Sequence, residues 1–223
     1  MAVPSVDQLF RADGLAALAL AEEVRSFSAT HEFSKRTVLD LGCGTMPYRT
    51  LFTSRGARYV GADIDGTPDL LIDAEGMLPL ADGSVDFVVS FQVLEHVRSV
   101  SAYLSTVRRV LKVGGRMFLS THGVWPYHPH PTDYWRWTRE GLPMILEDAG
   151  FTVHRLTALC GPAAWIPMFP MLALKKALGP IWPLLAPANL IVNAFAWAAD
   201  RMTPAMIRET NASIFAVEVS RDV

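Results

Sequence analysis

The sequence predicts the α/β fold class, with a doubly wound and mostly parallel sheet. Short apolar runs that suit buried strands alternate along the chain with helical periodicity, which indicates strand–helix–strand units. One run, residues 38–41, leads directly into a turn with Gly42 and Gly44. A second run, residues 59–62, ends at Asp63, about 20 residues after the turn. That spacing places a carboxylate at the tip of the neighbouring strand, where it can bind the ribose of a nucleoside.

The other elements are predicted from the same patterns, taken in chain order. Residues 14–27 have the apolar spacing of an amphipathic helix. Strands are predicted at residues 37–41, 58–62, 69–72, 85–89, 115–120 and 152–157. Further helices are predicted at residues 47–54, 100–111 and 138–149. Alternating apolar and polar residues over 214–220 predict an antiparallel strand at the C-terminal edge of the sheet.

The chain is predicted to be a single domain, because 223 residues suit one α/β core with an appendage. In this division residues 1–35 form a helical cap and residues 36–157 form the ligand-binding core. Residues 158–211 form an apolar helical insertion, which serves as a lid or an interface, and residues 212–223 form the final strand.

The composition argues against some partners and locations. A net charge of −2 supplies no basic excess to neutralise phosphates, so no nucleic-acid partner is expected. Two cysteines, Cys43 and Cys160, are too few for a disulfide scaffold. The first residues mix acidic and basic side chains without an apolar run, so no signal peptide is predicted and the expected location is the cytoplasm.

The insertion is the least polar part of the chain. It is almost uncharged, and its prolines argue against one continuous helix. A helix is predicted at residues 188–202, where Asn189, Asn193 and Asp200 share one narrow stripe. Because apolar residues cover most of the remaining circumference, we expect this helix to be buried on most sides. We interpret residues 158–202 as a lid or a homodimer interface, with membrane-surface contact as the alternative.

The glycine turn disfavours one common class of ligand. A dinucleotide fingerprint has a third glycine so that the helix N-terminus can receive a pyrophosphate, whereas this turn continues as Thr45-Met46-Pro47-Tyr48. Asp40 stands just before the turn, where its negative charge would oppose a diphosphate. A carboxylate there suits a ligand with a cationic amino group. Adenosine joined to an amino acid therefore fits better than the dinucleotide of an oxidoreductase.

These motifs resemble those of the class I S-adenosylmethionine (SAM)-dependent methyltransferases, which have a Rossmann-like fold. The match runs through residues 36–155 in the family's order and spacing. Its segments are residues 38–45, 59–65, 73–80, 84–97 and 110–120. A type 11-like subgroup, associated with bacterial glycan, glycolipid and natural-product assembly, is resembled at residues 46–48, 92–96 and 127–138.

The resemblance implies SAM as cofactor and S-adenosylhomocysteine as product. Asp40 is then expected near the methionine amino group, and Asp63 is expected to hold the ribose hydroxyls, with Asp65 as the alternative. Asp73 or the Ala74 backbone is expected to meet the adenine. The predicted cofactor-binding residues are Asp40, Gly42, Cys43, Gly44, Asp63, Ile64, Asp73, Ala74, Ser90 and Gln92.

The segment after the fifth strand, residues 121–138, is predicted to touch the acceptor, because ligands of open α/β sheets bind at the carboxyl ends of strands. It contains three histidines, three prolines and five aromatic residues, and aromatic faces suit sugar rings. His128 is the first candidate for a general base, with Asp133 orienting it or binding substrate hydroxyls. The predicted substrate-binding residues are Tyr48, His130, Tyr134 and Arg136. Arg136 alternatively ties the loop to the domain.

Two other arrangements of polar residues bear on the chemistry. Glu95 and His96 are adjacent on a predicted helix and point in different directions, so we expect them to support packing. His128, His130 and Asp133 offer metal donors at short spacing but match no strong zinc signature. A divalent metal is compatible with this loop, and no metal site is predicted.

The leading functional prediction is O-methylation of a hydroxyl on a sugar, a glycoconjugate or a related natural product. The expected partner is accordingly a small-molecule or saccharide acceptor. One alternative is N- or carboxyl-methylation of a small metabolite, which needs less base catalysis. Another is a SAM-binding subunit without catalysis, which contacts a partner chain through its apolar insertion.

Overall fold

The computed structural model describes residues 10–73, 78–129 and 131–222. The predictions for Ala74 and His130 therefore lie outside the described residues. Within these ranges the chain forms the predicted α/β fold, in which one sheet carries helices on both of its faces.

Seven strands are seen in the described ranges. They are β1 Thr37–Leu41, β2 Arg58–Asp63, β3 Leu70–Leu71, β4 Val85–Phe91, β5 Leu111–His122, β6 Phe151–Leu159 and β7 Ile214–Arg221. Their order in the sheet is β3-β2-β1-β4-β5-β7-β6. The strands from β3 to β5 pair in parallel, whereas β7 runs antiparallel to both of its neighbours. The predicted Rossmann-like, mostly parallel sheet with an antiparallel C-terminal strand is confirmed.

Strand β7 lies one place further inside the sheet than predicted. It runs between β5 and β6, so the outermost strand at this end is β6. Every side chain from Ile214 to Ser220 is buried, and a strand that is buried on both faces belongs inside a sheet. Its one carboxylate, Glu218, contacts Arg116 at 2.6 Å and His31 at 3.0 Å.

The predicted helices are present, with shorter or longer ends. The described helices are α1 Gly14–Thr30, α2 Arg49–Thr53, α3 Val100–Val110, α4 Gly141–Asp148, α5 Pro162–Leu178, α6 Ala186–Met202 and α7 Ala205–Thr210. Two 3₁₀ turns complete them, at Leu94–His96 and Gly179–Leu185. The helix expected directly after β4 is therefore only the first of these short turns.

Two hydrophobic cores lie on opposite faces of the sheet. Successive strand residues point to opposite faces, so Leu39 and Leu119 enter the core that contains α3 and α4. Val38 and Phe118 enter the other core, which contains α1 and α5. On that side Phe27 of α1 is fully buried, and its ring stacks on Phe118 with centroids 4.5 Å apart. This alternation produces the predicted doubly wound arrangement.

The expected burial of α6 is wrong. Its polar residues Asn189 and Asn193 are buried, whereas 72% of Ile191 and 75% of Phe195 are exposed. The asparagine amides donate to the Arg11 carbonyl oxygen, at 2.7 and 3.2 Å. Because these hydrogen bonds satisfy the amides inside the protein, the polar stripe faces inward and the apolar residues face outward.

The break between α5 and α6 also bears on membrane crossing. Among the described residues, no single helix has both the length and the apolar character that a membrane span requires. Pro162–Leu185 and Pro187–Met202 meet the length and composition criteria only as a pair, and the two halves are bent by 101°. The helix is interrupted in the region where its prolines argued against one continuous helix.

We expect Phe27→Ala to lower the free energy of unfolding by about 3–5 kcal/mol, because a cavity replaces a fully buried ring. Urea denaturation followed by circular dichroism measures this loss. Met144→Ala, on the exposed side of α4, is the matched control and should change stability by about 0.5 kcal/mol or less. Equal losses in the two variants would contradict the packing role of Phe27.

Candidate active site

The turn after β1 is closely packed on one side and open on the other. Gly42 has a φ of +77°, and a Cβ atom on it would lie 2.3 Å from Cγ2 of Val93. Gly44 has a φ of +49°, and a Cβ atom there would meet no atom within 4 Å. Both positions favour glycine for their backbone conformation. Gly42 lets the segment after β4 approach the turn, and Gly44 leaves the backbone open to a ligand.

Asp63 joins this turn to the end of β2. One oxygen of its carboxylate accepts a hydrogen bond from the Gly44 amide at 2.7 Å, and the other accepts one from the Ile64 amide at 2.7 Å. The carboxylate is therefore held in place beside the open glycine. Each oxygen keeps a further lone pair, which suits a pair of ribose hydroxyls. Asp65, the alternative ribose ligand, lies exposed two residues further on.

Asp40 is buried under the turn. The Tyr59 hydroxyl donates to one oxygen of its carboxylate, whereas the other oxygen, Oδ1, has no hydrogen-bond partner among the described residues. Burial raises the pKa of Asp40 to about 7. A cationic amino group nearby would satisfy the Oδ1 atom and favour the ionised carboxylate. The residues of the turn thus fit the adenosine and amino-acid halves of SAM.

Ser90 and Gln92, two further predicted cofactor residues, differ in whether they offer a polar atom to a ligand. The Ser90 hydroxyl is used inside the protein, since it donates to the Leu41 carbonyl at 2.9 Å and accepts from the Tyr103 hydroxyl at 2.7 Å. Gln92 has a φ of +58°, and its amide nitrogen Nε2 donates to the Ser120 hydroxyl at 2.8 Å. Its carbonyl oxygen Oε1 has no partner within the described ranges, so Gln92 offers a polar atom that Ser90 does not.

Cys43 and Asp73, two further predicted cofactor residues, differ in their exposure to solvent. Cys43 is buried in the turn, and burial raises the pKa of its thiol to about 12, so the thiol stays protonated at neutral pH. A Cβ atom on Gly61 would lie 2.9 Å from the Cys43 sulfur, which shows how closely the two strands pack here. Asp73 is exposed just beyond β3, where the adenine is expected.

The loop between β5 and α4 is fastened by a salt bridge. Arg136 donates to both carboxylate oxygens of Asp133, at 2.5 and 2.6 Å, and this guanidinium lowers the pKa of Asp133 to about 2. Arg136 also donates to the carbonyls of Trp125 and Pro126, at 2.9 and 2.8 Å. Asp133 accepts from the backbone amide of His128 at 2.7 Å. Both side chains therefore stabilise the loop, and any contact with a substrate stays a prediction.

The same loop is anchored on the 3₁₀ turn after β4. The backbone amides of Tyr134 and Trp135 donate to the Glu95 carbonyl at 2.9 and 3.2 Å. His96 Nδ1 donates to the Thr132 carbonyl at 2.6 Å. The Tyr134 side chain is exposed on this anchored loop, and Tyr48 lies on the glycine-turn side, where its ring contacts Phe91 at 4.9 Å between centroids.

A buried acid–imidazole pair, which sequence reasoning missed, lies beneath this loop. Glu95 is fully buried, and its Oε1 atom lies 3.0 Å from Nδ1 of His122, the last residue of β5. The Thr121 hydroxyl donates to the other carboxylate oxygen at 2.8 Å. Burial raises the pKa of Glu95 to about 7 and lowers that of His122 to about 3. Both residues follow neighbouring strand ends, which is the signal that could have predicted the pair.

Three imidazole rings continue outward from this carboxylate. The His122 ring stacks on Trp125, with centroids 4.5 Å apart, and lies 5.9 Å from the His128 ring. The His128 ring in turn lies 5.7 Å from that of His96. The rings follow the carboxyl ends of β4 and β5, so the structure brings the predicted base His128 together with Glu95 and His122. An imidazole is the side chain best suited to general-base catalysis near neutral pH, and His128 remains the predicted base.

A metal centre has no counterpart in the described part of the chain. No group of three or more histidine, cysteine, aspartate or glutamate side chains there has an arrangement that could hold a metal ion. His130, one of the three donors considered for such a site, lies outside the described residues.

We expect Asp63→Ala to weaken SAM binding about 10- to 100-fold, because the ribose loses charge-assisted hydrogen bonds and the turn loses its link to Gly44. Isothermal titration calorimetry measures the dissociation constant. Asp82→Ala removes an exposed carboxylate that pairs with Arg109 on the surface, and should leave affinity unchanged. Unaltered SAM affinity in the Asp63 variant would contradict the assigned role.

Comparisons with known proteins agree with this geometry. A family model described as a methyltransferase domain matches residues 12–156, more than half of the chain. An uncharacterized methyltransferase from Mycobacterium bovis (strain BCG / Pasteur 1173P2) is 37% identical over 110 residues, which cover 43% of each chain. A probable S-adenosylmethionine-dependent methyltransferase from Mycolicibacterium smegmatis is 31% identical over 141 residues, or 56% of this chain and 55% of that one. The chain thus spans about half the length of these curated relatives.

A solved structure shares the fold. It is described as an S-adenosylmethionine-dependent methyltransferase from Mesorhizobium loti, and its alignment covers 95% of this chain and 100% of that one, with a TM-score of 0.58 and 18% identity. The family match covers β1 to β5 together with the Gly42 turn and Asp63. On this evidence the chain belongs to the methyltransferase-domain family.

Proposed function

We propose that the protein is a SAM-dependent methyltransferase. It transfers the methyl group of SAM to a hydroxyl of a sugar, a glycoconjugate or a related natural product. The observation that carries this proposal is the row of imidazoles at the carboxyl ends of β4 and β5, backed by the buried Glu95 carboxylate. A hydroxyl must lose its proton as it attacks, and a positioned base typically accelerates that step by about 10²–10⁴-fold. A bound metabolite amine needs less help of this kind.

The chain's own residues have defined tasks in this mechanism. SAM supplies, when bound, a methyl group activated by the adjacent sulfonium, and it leaves as S-adenosylhomocysteine. Asp63, the glycine turn and Asp40 hold the cofactor, so that the acceptor can approach from the side of the β5–α4 loop. His128 accepts the hydroxyl proton as the new carbon–oxygen bond forms. The proton then rests on the His128 ring until it passes to solvent.

Glu95 acts through the imidazoles and is a positioning residue. Its carboxylate faces Nδ1 of His122, and the His122 ring lies 5.9 Å from that of His128. A buried negative charge at this place stabilises the positive charge that develops on the histidines during proton transfer. Thr121 fixes the carboxylate by donating to its second oxygen at 2.8 Å. Glu95 and Thr121 thereby favour the transfer of the hydroxyl proton to His128.

The exposed aromatic side chains of the loop favour a saccharide acceptor. Tyr127, Tyr134 and Trp135 are all exposed, and aromatic faces pack against the apolar faces of sugar rings. Trp135 is also fixed in orientation, because its indole nitrogen donates to the Val97 carbonyl at 2.7 Å. We assign acceptor contacts to Tyr134 and Tyr48, and we assign Arg136 and Asp133 chiefly to holding the loop.

Transfer of labelled methyl from SAM into fractionated cell extracts tests this proposal. We expect label in a saccharide or glycolipid fraction, in a bond that resists mild base, as an ether does and an ester does not. Label confined to amine metabolites would overturn O-methylation while leaving the enzyme class intact. Cofactor binding without transfer to any fraction would instead favour a non-catalytic SAM-binding subunit. A chelator arm shows whether a divalent metal assists.

With the labelled acceptor, we expect His128→Ala to lower kcat about 100-fold, because the hydroxyl loses its base.

The wild-type rate should rise with pH through about 7, since the pKa of Glu95 is raised to about 7 and only its ionised form stabilises an imidazolium. In Glu95→Gln that rise should flatten and kcat should fall about tenfold. His154→Gln, on β6, is the control. A Glu95→Gln profile that matches the wild type would contradict the positioning role.

A further inference from the structure

Helix α6 is amphipathic in the opposite sense to an ordinary surface helix. Its outward side consists of apolar residues at helical spacing: Ala188, Ile191, Ala194, Phe195, Ala198 and Met202. We call this side the α6 apolar face. From it and the charges described below, we propose that the protein docks peripherally on an anionic lipid surface, with the α6 apolar face inserted among the lipid headgroups. The proposal concerns where the enzyme works and does not depend on the acceptor.

The orientation of α6 is set by specific buried contacts. Asn189 and Asn193 lie on the side of the helix opposite Ile191 and Phe195, and their amides donate to the Arg11 carbonyl. Further along the helix, Asp200 accepts from the Gly161 amide at 3.1 Å. Rotating the helix to bury its apolar side would leave these polar groups without those partners. The outward display of the apolar side is therefore a stable property of the fold.

The apolar surface continues beyond the helix itself. Phe195, Ala198 and Met202 line an open groove at the C-terminal end of α6, which extends to Thr203 and Pro204. Further exposed apolar side chains occur immediately before and after α6: Ile181, Leu184, Met206 and Ile207. Single exposed apolar residues are common on protein surfaces, whereas clusters of them mark interaction surfaces.

The stretch of chain that contains α6 has more basic than acidic residues. Between residues 158 and 207 the chain has three basic residues, Lys175, Lys176 and Arg201, and all three are exposed. Asp200 is the only acidic residue in that stretch, and it accepts from the Gly161 amide. Beyond it, Glu209 pairs with Arg139 at 2.8 Å. Arg201 lies on α6 itself, and Lys175 and Lys176 lie in the last turn of α5. Exposed basic side chains of this kind are attracted to the phosphates of anionic lipids.

Trp197 and Arg201 add a feature that suits a lipid interface. The guanidinium carbon of Arg201 lies 4.0 Å from the centre of the Trp197 ring. Tryptophan prefers the boundary between apolar and aqueous regions, and the arginine places a charge at that same boundary. Together they position α6 to lie along a membrane surface, with its apolar side below this level and its asparagines above it.

A second copy of this chain complements the face less well. Two copies that paired through α6 would bring two Arg201 side chains into one interface, whereas Asp200 and Glu209 already accept hydrogen bonds from Gly161 and Arg139. Such a rim lacks the opposite charges that stabilise a protein interface. Anionic lipids supply them.

Co-sedimentation with vesicles tests the proposal, using the whole chain. We expect binding to vesicles of phosphatidylcholine with phosphatidylglycerol, and at least about tenfold weaker binding to phosphatidylcholine alone or at high salt. Ile191→Ser with Phe195→Ser should weaken binding at least about tenfold, because both apolar side chains insert. Lys175→Glu with Lys176→Glu should weaken it similarly on anionic vesicles only.

Matched variants separate specific docking from general stickiness. Val113→Ser with Met144→Ser removes two exposed apolar residues elsewhere, and Arg55→Glu with Arg58→Glu makes the same charge change elsewhere. Both controls should bind as the wild type does, and urea midpoints confirm that every variant folds. Absence of binding to anionic vesicles, or wild-type binding by the serine variant, would overturn the proposal. Sedimentation showing a lipid-free dimer that the serine variant abolishes would assign the face to a second copy instead.

Discussion

The contact between Gly42 and Val93 is the constraint on which the site depends. A Cβ atom at residue 42 would lie 2.3 Å from the Val93 side chain, so only glycine allows the end of β1 and the segment after β4 to meet. That meeting holds the cofactor turn, with Asp40 beneath it and Asp63 beside it, against the chain that leads into Glu95. The turn to which we assign the cofactor and the segment to which we assign the acceptor chemistry therefore meet through one close contact, between Gly42 and Val93.

Glu95 extends the same constraint to the acceptor side. Its backbone carbonyl receives the amides of Tyr134 and Trp135, and its side chain faces His122. A fully buried carboxylate is costly unless it has partners, so the hydrogen bond from the Thr121 hydroxyl contributes to stability. One residue thus connects the position of the acceptor loop to the electrostatic environment of the imidazoles.

The C-terminal insertion differs from the core in which side chains it buries. Its helix α6 directs its polar side to the interior, where asparagines satisfy the carbonyl that precedes α1, and presents Ile191 and Phe195 outward. We assign cofactor binding and acceptor chemistry to residues of the core, and lipid docking to the exposed apolar surface of the insertion. A methyltransferase that modifies a lipid-linked or surface-held acceptor would need both features in one chain, which is why the two proposals fit together without depending on each other.

The sequence by itself determined the fold class and the position of the glycine turn, because both depend on local spacing. Alternation places Val38 and Leu39 in opposite cores, and two glycines followed by Asp63 are enough to predict the nucleoside site. The tertiary structure decided how close Glu95 lies to His122, since 26 residues of chain stand between them and the distance depends on how the ends of β4 and β5 meet. It also decided which side of α6 is buried, because periodicity shows that two sides differ but not which one finds hydrogen-bond partners.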